Sequence, residues 1–495
     1  MFYPTRYRWL TAAPLLTLLV LLAGSCGKKD DSGSNPTPTP TTPTTPTTTT
    51  SGPVTSWLTT PDKTALFYRQ KLSGQFVANT NTDPTIVVDT TQTYQTIDGF
   101  GYALTGGSAQ LMSQMSASSR ASLIKELFSP DSVGVSYLRV SIGASDLDAT
   151  TFTYDDGAAD PTLANFSLAP DMTYLIPVLK EILAVSPNIK ILGSPWTAPP
   201  WMKQGANTGN PYIGGSLQTQ YYAAYAQYFV KYIQGMKAQG ITIDAITIQN
   251  EPLYGGNNPS MVMQGSEQAA FIKNNLGPAL KAASLTTKII GYDHNPDAAG
   301  LSFVSALLGD AAAAAYVDGT AFHLYGGTIG ALDGVHSSFP TKNIYFTEFW
   351  TQSPGTTTFG SDLLYHVNNM EIGAVRNWSR NVLEWNLASD ANYGPHTSGG
   401  CTQCLGAITI NGNTVTRNVA YYTVAHSSKI VRPGSVRVAT NQPTNLSNVA
   451  YKTPNGKRCL VVLNTGSTVQ NFNIQYKGKV VSTALYGGSV GTYAW

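Results

Sequence analysis

Between Ile97 and Asp390 the chain alternates short, nearly continuous apolar runs with amphipathic stretches. The runs are "TIDGFGYALTG", "VSYLRVSIG", "NIKILGSPWT", "DAITIQNEP", "TKIIGYDHN", "DGTAFHLYG", "NIYFTEFW" and "VLEWNLASD". Runs of Ile, Val and Leu without a polar face suit strands covered on both sides, as in a parallel sheet. Between them, Ser118 to Phe128, Asp171 to Val185, Gln220 to Gln239 and Glu267 to Ala283 repeat apolar residues at three-to-four spacing. That is the period of a helix with one buried face. Eight such strands with intervening helices predict an α/β fold, a (β/α)8 barrel over residues 97–404. Glycines interrupt the first unit, which makes it the least regular of the set.

Past Cys404 the period shortens. β-branched and polar residues alternate around turn signals such as Asn411-Gly412 and Asn455-Gly456. This predicts a small antiparallel β-sandwich over residues 405–495, with a helix around Tyr421 to Ser427 as the exception. The stretch "PTIVVDTTQTYQT", within residues 56–96, also reads as strand and is expected to complete the same sandwich.

The N-terminus has the layout of a targeting segment. Arg6 and Arg8 precede an apolar run from Leu10 to Leu22, shorter than a membrane span, and "LLAGSCGKKDD" follows. The small residues before Cys26 resemble a bacterial lipoprotein cleavage site, although Ala23 stands where Leu is usual. The resemblance implies a signal peptide over residues 1–25 and a lipid on Cys26, with an incidental Cys behind an ordinary cleaved signal as the alternative. Lys28, Lys29, Asp30 and Asp31 resemble a signal for the outer surface. Export to the outer membrane, facing the cell surface, is therefore expected. Residues 26–55 are dominated by Thr, Pro and Ser and should act as an extended tether, with folded structure beginning near Trp57.

Composition narrows the partners. Lys and Arg number 30 against 28 Asp and Glu, with no basic stripe, so nucleic acid is a poor candidate. Abundant Tyr (27), Trp (8) and Gly (46) suit neutral, ring-shaped ligands, although aromatic residues also fill cores. Besides Cys26 the cysteines are Cys401, Cys404 and Cys459. "CTQC" in a Gly-rich loop reads as a small-loop disulfide or as unpaired thiols. A zinc site would want more ligands than His396 supplies, and no metal or cofactor is expected. The protein is expected to be a monomer.

Candidate chemistry sits where the strands end. In a (β/α)8 barrel the reactive groups lie at the C-terminal ends of the strands. Glu251 ends the fourth strand, where Pro252 stops it, and Glu348 takes the matching place on the seventh. Strands four and seven face each other across the barrel mouth. Two carboxylates so placed are what glycoside hydrolysis needs: one attacks the anomeric carbon while the other protonates the leaving oxygen. A lone Glu at a strand end is as often a loop anchor, so the pairing carries the prediction. Arg139, near the end of strand two, is placed to hydrogen-bond the strand-seven carboxylate and keep it ionised, or to form a structural ion pair.

"NEP" on the fourth strand and "TE" on the seventh resemble the retaining barrel glycosidases. "SPWTAPPWMK", "DGFG", "AFHLYGG", "LEWNLASD" and "FTYDDGAADPTLANFSL", in that company, are similar to glycoside hydrolase family 30. Members of that family include glucosylceramidases, β-1,6-glucanases and some xylanases. The resemblance implies Glu251 as general acid/base, Glu348 as nucleophile and Asn250 as partner of the sugar 2-hydroxyl. It implies that Asp146 and Trp196 line the first sugar subsite, that His323 and Tyr325 lie near the nucleophile, and that Trp385 and Asn386 close the pocket. Trp196, Trp385 and His323 have a blander reading as core residues, and Asp146 as a turn cap. Glu384, beside Trp385, is expected to support rather than react.

One departure bears on substrate. Glucosylceramidase-like members tend to read Gly-Gly-Ala after the first strand, then Thr and an acidic residue; here Tyr102 and Gly106 take two of those places. That favours the glucan-cleaving branch, an endo-β-1,6-glucanase acting on β-glucan polysaccharide. A glucosylceramidase or exo-β-glucosidase is the alternative among enzymes, and a carbohydrate-binding lipoprotein the alternative outside them.

Overall fold

The structure is a computed structural model that describes residues 54–72, 74–352 and 357–495. The expected signal peptide, Cys26 and nearly all of the tether lie outside the described residues. Among the described residues no helix is long and apolar enough to cross a membrane.

Eight parallel strands close into a barrel. In chain order they are Gly99–Ala103, Tyr137–Ser141, Lys190–Ser194, Ala245–Thr247, Lys288–His294, Val317–His323, Asn343–Glu348 and Ser379–Asn386. The eighth closes on the first, with Asn381 opposite Gly99 and Leu383 opposite Gly101. Every residue of the second strand is buried, which explains why its run has no polar face. Inside, Tyr137, Leu192, Ala245, Ile290, Ala321, Tyr345 and Leu383 form an apolar plug below the mouth. Leu138, Ile191, Ile246, Ile289 and Phe322 point outward into the layer shared with the helices.

The helices follow the predicted stretches with two differences. Ala117–Phe128 is capped by Ser116, whose hydroxyl accepts from the Ser119 N–H, and Tyr222–Ala238 runs as expected. The helix expected from Asp171 instead begins at Leu175. The Asp171 carboxyl accepts the Tyr154 hydroxyl at 2.5 Å rather than capping a first turn. The fourth stretch is helical from Gly265 to Ala282 but widens into a π-turn at Ile272–Leu276. Pro278 follows at once and has no N–H with which to continue the ladder.

Strands from both flanks of the barrel build the side sandwich, a nine-stranded sheet. Thr55–Thr59 pairs with Val490–Ala494, and Thr85–Thr96 lies between Val436–Thr440 and Gln470–Tyr476. Ile86, Val88, Leu460, Val462, Phe472 and Ile474 form its core.

The segment just after Cys404 differs from expectation. The hairpin Ile408–Asn411 and Thr414–Arg417 pairs with Ala388–Ser389 at the barrel mouth, not with the sandwich. The helix Val419–Ser428 then packs on the first barrel strand, where the Tyr102 hydroxyl donates to the Ala420 carbonyl at 3.2 Å. All ten residues of that helix are buried, so it serves as the closing helix of the barrel. The sandwich resumes at Val436.

Candidate active site

The fourth strand ends at Thr247, so Glu251 lies four residues beyond it rather than at its last position, on a segment whose backbone is diverted to neighbouring segments. The Asn250 N–H donates to the Pro195 carbonyl at 2.7 Å, and the Glu251 N–H to the Asp293 carbonyl at 3.0 Å. Glu251 takes φ = 47°, in the left-handed region that non-glycine residues seldom occupy. These bonds hold the turn, and the side chain leaves the strand direction to face the mouth. Glu348 reaches the same space from the last position of the seventh strand. Together with His323, the two carboxylates place one oxygen or nitrogen each within 4.8 Å of one another.

Arg139 organises the centre from beneath. Its Nη1 donates to Oε2 of Glu348 at 2.6 Å, and its Nη2 donates to Asn250 Oδ1 at 2.7 Å and Asp293 Oδ2 at 2.8 Å. It is fully buried, and its guanidinium lies 4.8 Å from the Trp196 ring centroid. Trp196 stacks on Trp385, with centroids 5.4 Å apart. Arg139 thus donates a hydrogen bond to Glu348 and forms ion pairs with Glu348 and Asp293. Arg139 fixes Asn250 Oδ1, and the Asn250 amino group has no protein partner among the described residues. Tyr325 completes the shell of Glu348, its hydroxyl donating to Oε1 at 2.9 Å.

Two residues of the centre escaped the sequence reading. Asp293 sits on a bulge of the fifth strand, at φ = 90° beside Tyr292 at 68°, and the bulge turns its carboxylate into the barrel. It accepts from Arg139, Ser194, Thr247, Thr347 and His323. Burial opposes its ionisation, but Arg139, His323 and Thr347 hold it far below the usual carboxylate range. His294, next in the chain, brings Nε2 to 3.6 Å from Oε1 of Glu251. In "GYDHN" the only signal for either residue was a carboxylate inside an apparently buried strand.

His323 links the carboxylates. Its Nδ1 meets Glu251 Oε1 at 3.1 Å and its Nε2 meets Asp293 Oδ1 at 3.2 Å, while Glu348 Oε1 lies 3.7 Å from Nδ1. Burial works against its charge, yet Glu348, Asp293 and Glu251 raise its pKa to about 10. Both ring nitrogens therefore face carboxylates, an environment that favours the charged imidazole.

In the free protein, burial raises the Glu348 carboxyl against the pull of His323 and Arg139. At Glu251 burial is outweighed by His323, His294 and Arg139, and the carboxyl falls below its usual value. The hydrogen bonds prepare the opposite arrangement for a bound sugar. Both oxygens of Glu348 already accept donors, whereas Oε2 of Glu251 has no protein partner among the described residues. A glycosidic oxygen can only accept, so its arrival at Oε2 favours a proton on Glu251 and an ionised Glu348. Glu251, His323 and Glu348 are also close enough to hold a cation, but the Arg139 and His323 charges already supply what the carboxylates need.

The remaining candidates lie around this centre. Asp146 is nearly buried, accepts from the Cys401 N–H at 3.4 Å, and is raised to about 7 by burial and by the charges of Glu348 and Glu251. Cys401 and Cys404 form a disulfide, the first of the two states left open by the sequence, and pack with Trp196, Trp385 and Trp350. Asn386 accepts from Ser108 at 2.8 Å and Thr105 at 3.2 Å, beside Trp385 rather than on the two glutamates. Glu384 turns outward to His366 at 2.7 Å. Tyr102 also points away from the mouth, toward the closing helix, so it does not contact the pocket. At Gly106 a Cβ would meet Asp148 Oδ1 at 1.6 Å. The carboxyl missing from position 106 is thus replaced in space by Asp148, raised to about 6 by burial.

Residues 97–431 match the glycosyl hydrolase family 30 TIM-barrel domain, and residues 434–493 match the family 30 beta sandwich domain. The chain is 38% identical over 395 residues to the endo-1,6-beta-D-glucanase neg1 of Aspergillus fumigatus, covering 75% of this chain and 79% of that protein. It is 29% identical to the lysosomal acid glucosylceramidase of Mus musculus, over 86% and 87% of the two chains. A solved structure, the endo-beta1,6-glucanase BT3312, superposes with a TM-score of 0.83 at 35% identity, covering 90% of this chain and 99% of its own. With both domains matched in order, and paired carboxylates beyond strand four and at the end of strand seven, the chain belongs to glycosyl hydrolase family 30.

Proposed function

We propose that the protein is a retaining endo-β-1,6-glucanase in which Glu348 is the nucleophile and Glu251 the acid/base. The observation that supports the mechanism is that one oxygen of each carboxylate lies within 4.8 Å of an oxygen of the other. Retaining glycosidases hold theirs about 5–5.5 Å apart, whereas inverting ones leave about 6.5–9.5 Å for a water. Glu348 attacks the anomeric carbon as Oε2 of Glu251 protonates the departing oxygen, giving a covalent glycosyl-enzyme. Glu251, now ionised, takes a proton from water as the water displaces Glu348. The Asn250 amino group is placed for the sugar 2-hydroxyl, and the Trp196–Trp385 wall for the ring.

The linkage rests on kinship. Three relatives named endo-1,6-beta-D-glucanase are 33–39% identical to this chain, against 28–29% for the glucosylceramidases. Tyr102 and Gly106 mark the same departure from the second group. A protein that only binds carbohydrate would have no need of a guanidinium and a phenol held on Glu348. We further propose the lipid on Cys26 and export to the outer membrane, on the strength of the N-terminal pattern alone.

The test is a product profile on pustulan, a linear β-1,6-glucan, beside laminarin, xylan and glucosylceramide. Early release of mixed β-1,6 oligosaccharides from pustulan alone is expected. Glucose as the sole early product would replace endo with exo action, and ceramide release would restore the glucosylceramidase.

A further inference from the structure

On the face opposite the catalytic mouth, a cavity of about 820 Å3 opens at the seam between barrel and sandwich. Its barrel wall is the loop Pro130–Val133, which precedes the second barrel strand, so it lies at the N-terminal end of the strands. Glu251 and Glu348 lie at the other end. Its sandwich wall is the edge of the nine-stranded sheet, where Trp57 and Arg69 are cross-strand partners.

The lining is unusual for a chain whose formal charge is only +2. Arg69, Lys429, Arg432 and Lys457 face the cavity with a single acidic side chain, Asp131. Even with a carboxylate at Trp495, the cations are in excess. Lys429 donates to the Asp131 carbonyl at 2.6 Å, and Arg432 to the carbonyls of Gly134 and Ser428. The side chains of Arg69 and Lys457 have no ion pair or hydrogen bond among the described residues, and both are exposed. Burial, together with Arg69, Arg432 and Lys457, pulls Lys429 below the usual lysine range, with Asp131 opposing. The cations are therefore near enough to repel one another, and an anion between them would relieve that repulsion. Aromatic rings complete the site: Trp57 stacks on Phe67 with centroids 6.1 Å apart, and the Trp495 indole N–H is buried without an acceptor.

We infer that this cavity is a second ligand site, for a phosphate-bearing sugar, either free or carried on a lipid. The volume falls within the range of small-molecule sites. Arg69 and Lys457 are the groups able to clasp the phosphate, in the charge-assisted manner of such pairs. Trp57 and Trp495 belong to the lining and give the sugar an apolar wall beside the cations.

Titration calorimetry on the full chain, with glucose 6-phosphate, inorganic phosphate and glucose as separate probes, tests this. Glucose 6-phosphate should bind more tightly than either fragment and more weakly as salt is raised. Arg69→Ala with Lys457→Ala should weaken it about tenfold or more while pustulan cleavage stays unchanged. Both side chains are exposed, and each single variant, with partial loss, checks that the pair acts together. Vesicles with and without a monophosphorylated glycolipid separate the two sources: binding only to the former assigns the ligand to a membrane. Failure of both the soluble probe and the vesicles to bind overturns the proposal, as does equal affinity for inorganic phosphate or full affinity in the double variant.

Discussion

Arg139 and Glu348 form a buried ion pair 2.6 Å long, and the same guanidinium holds Asn250 and Asp293. One side chain thus holds the proposed nucleophile, the proposed partner of the 2-hydroxyl and the carboxylate that faces His323. Removing it leaves two carboxylates buried without their counter-charge. Arg139→Met is expected to lower stability by about 3–5 kcal/mol and to abolish measurable turnover. Arg139→Lys, which can reach only part of the set, should restore folding but little activity. Thermal melts and pustulan assays of the two variants check this; a Lys variant with near-normal kcat would show that a positive charge alone suffices.

Glu251 and Glu348 should fail differently. Glu348→Gln removes the proposed nucleophile and is expected to leave a folded, inactive protein. Glu251→Ala removes the proposed proton donor, so poor leaving groups should suffer most, while activated aryl glycosides retain the first step. The comparison of kcat/KM for an aryl glucoside and for pustulan reads this directly. Equal losses on both would count against Glu251 as the acid.

Asp171 links stability to pH. Burial raises its carboxyl from 3.8 to about 7, with the Tyr154 hydroxyl opposing. A folded-state value above the unfolded one means that its contribution is fully present below about pH 4 and is lost as pH rises toward 7. The slope is up to about 1.4 kcal/mol per pH unit. Asp171→Asn keeps an acceptor for Tyr154 and should flatten that part of the curve, being more stable than the parent at pH 8. Denaturant melts across pH test it; an unchanged slope would remove Asp171 from the account.

The proposed anchor predicts a change of compartment. Cys26→Ala should move the protein from the membrane fraction to the soluble fraction without loss of specific activity, read by fractionation and immunoblotting. A variant still in the membrane fraction would rule out lipidation at Cys26 as the anchor.

What the sequence disclosed followed from local chemistry. Glu251 beyond the fourth strand and before a proline, and Glu348 after an apolar run, are visible because a charge must leave a buried strand somewhere. Asp293 was not visible, because its ionised state inside the barrel depends on Arg139, His323 and three hydroxyls from other strands. The bulge that aims it is a backbone event with no signature in "GYDHN". The hairpin after Cys404 showed its alternation but not its partner: periodicity says that a strand has two faces, not which edge it joins. Tyr102 matched a position next to a substrate pocket, yet in a barrel strand neighbouring side chains point to opposite sides, and this one faces the closing helix. Asp148, filling the space beside Gly106, could only be found in three dimensions.

The most direct test of the retaining glucanase is proton NMR of pustulan hydrolysis, followed from the first turnover. With carboxylates this close, the first reducing ends to appear should be β-anomers, on oligosaccharides of mixed length, with α-anomers growing in later by mutarotation. Initial release of the α-anomer would mean inversion, and would contradict the assignment of Glu348 as a nucleophile that bonds to the sugar.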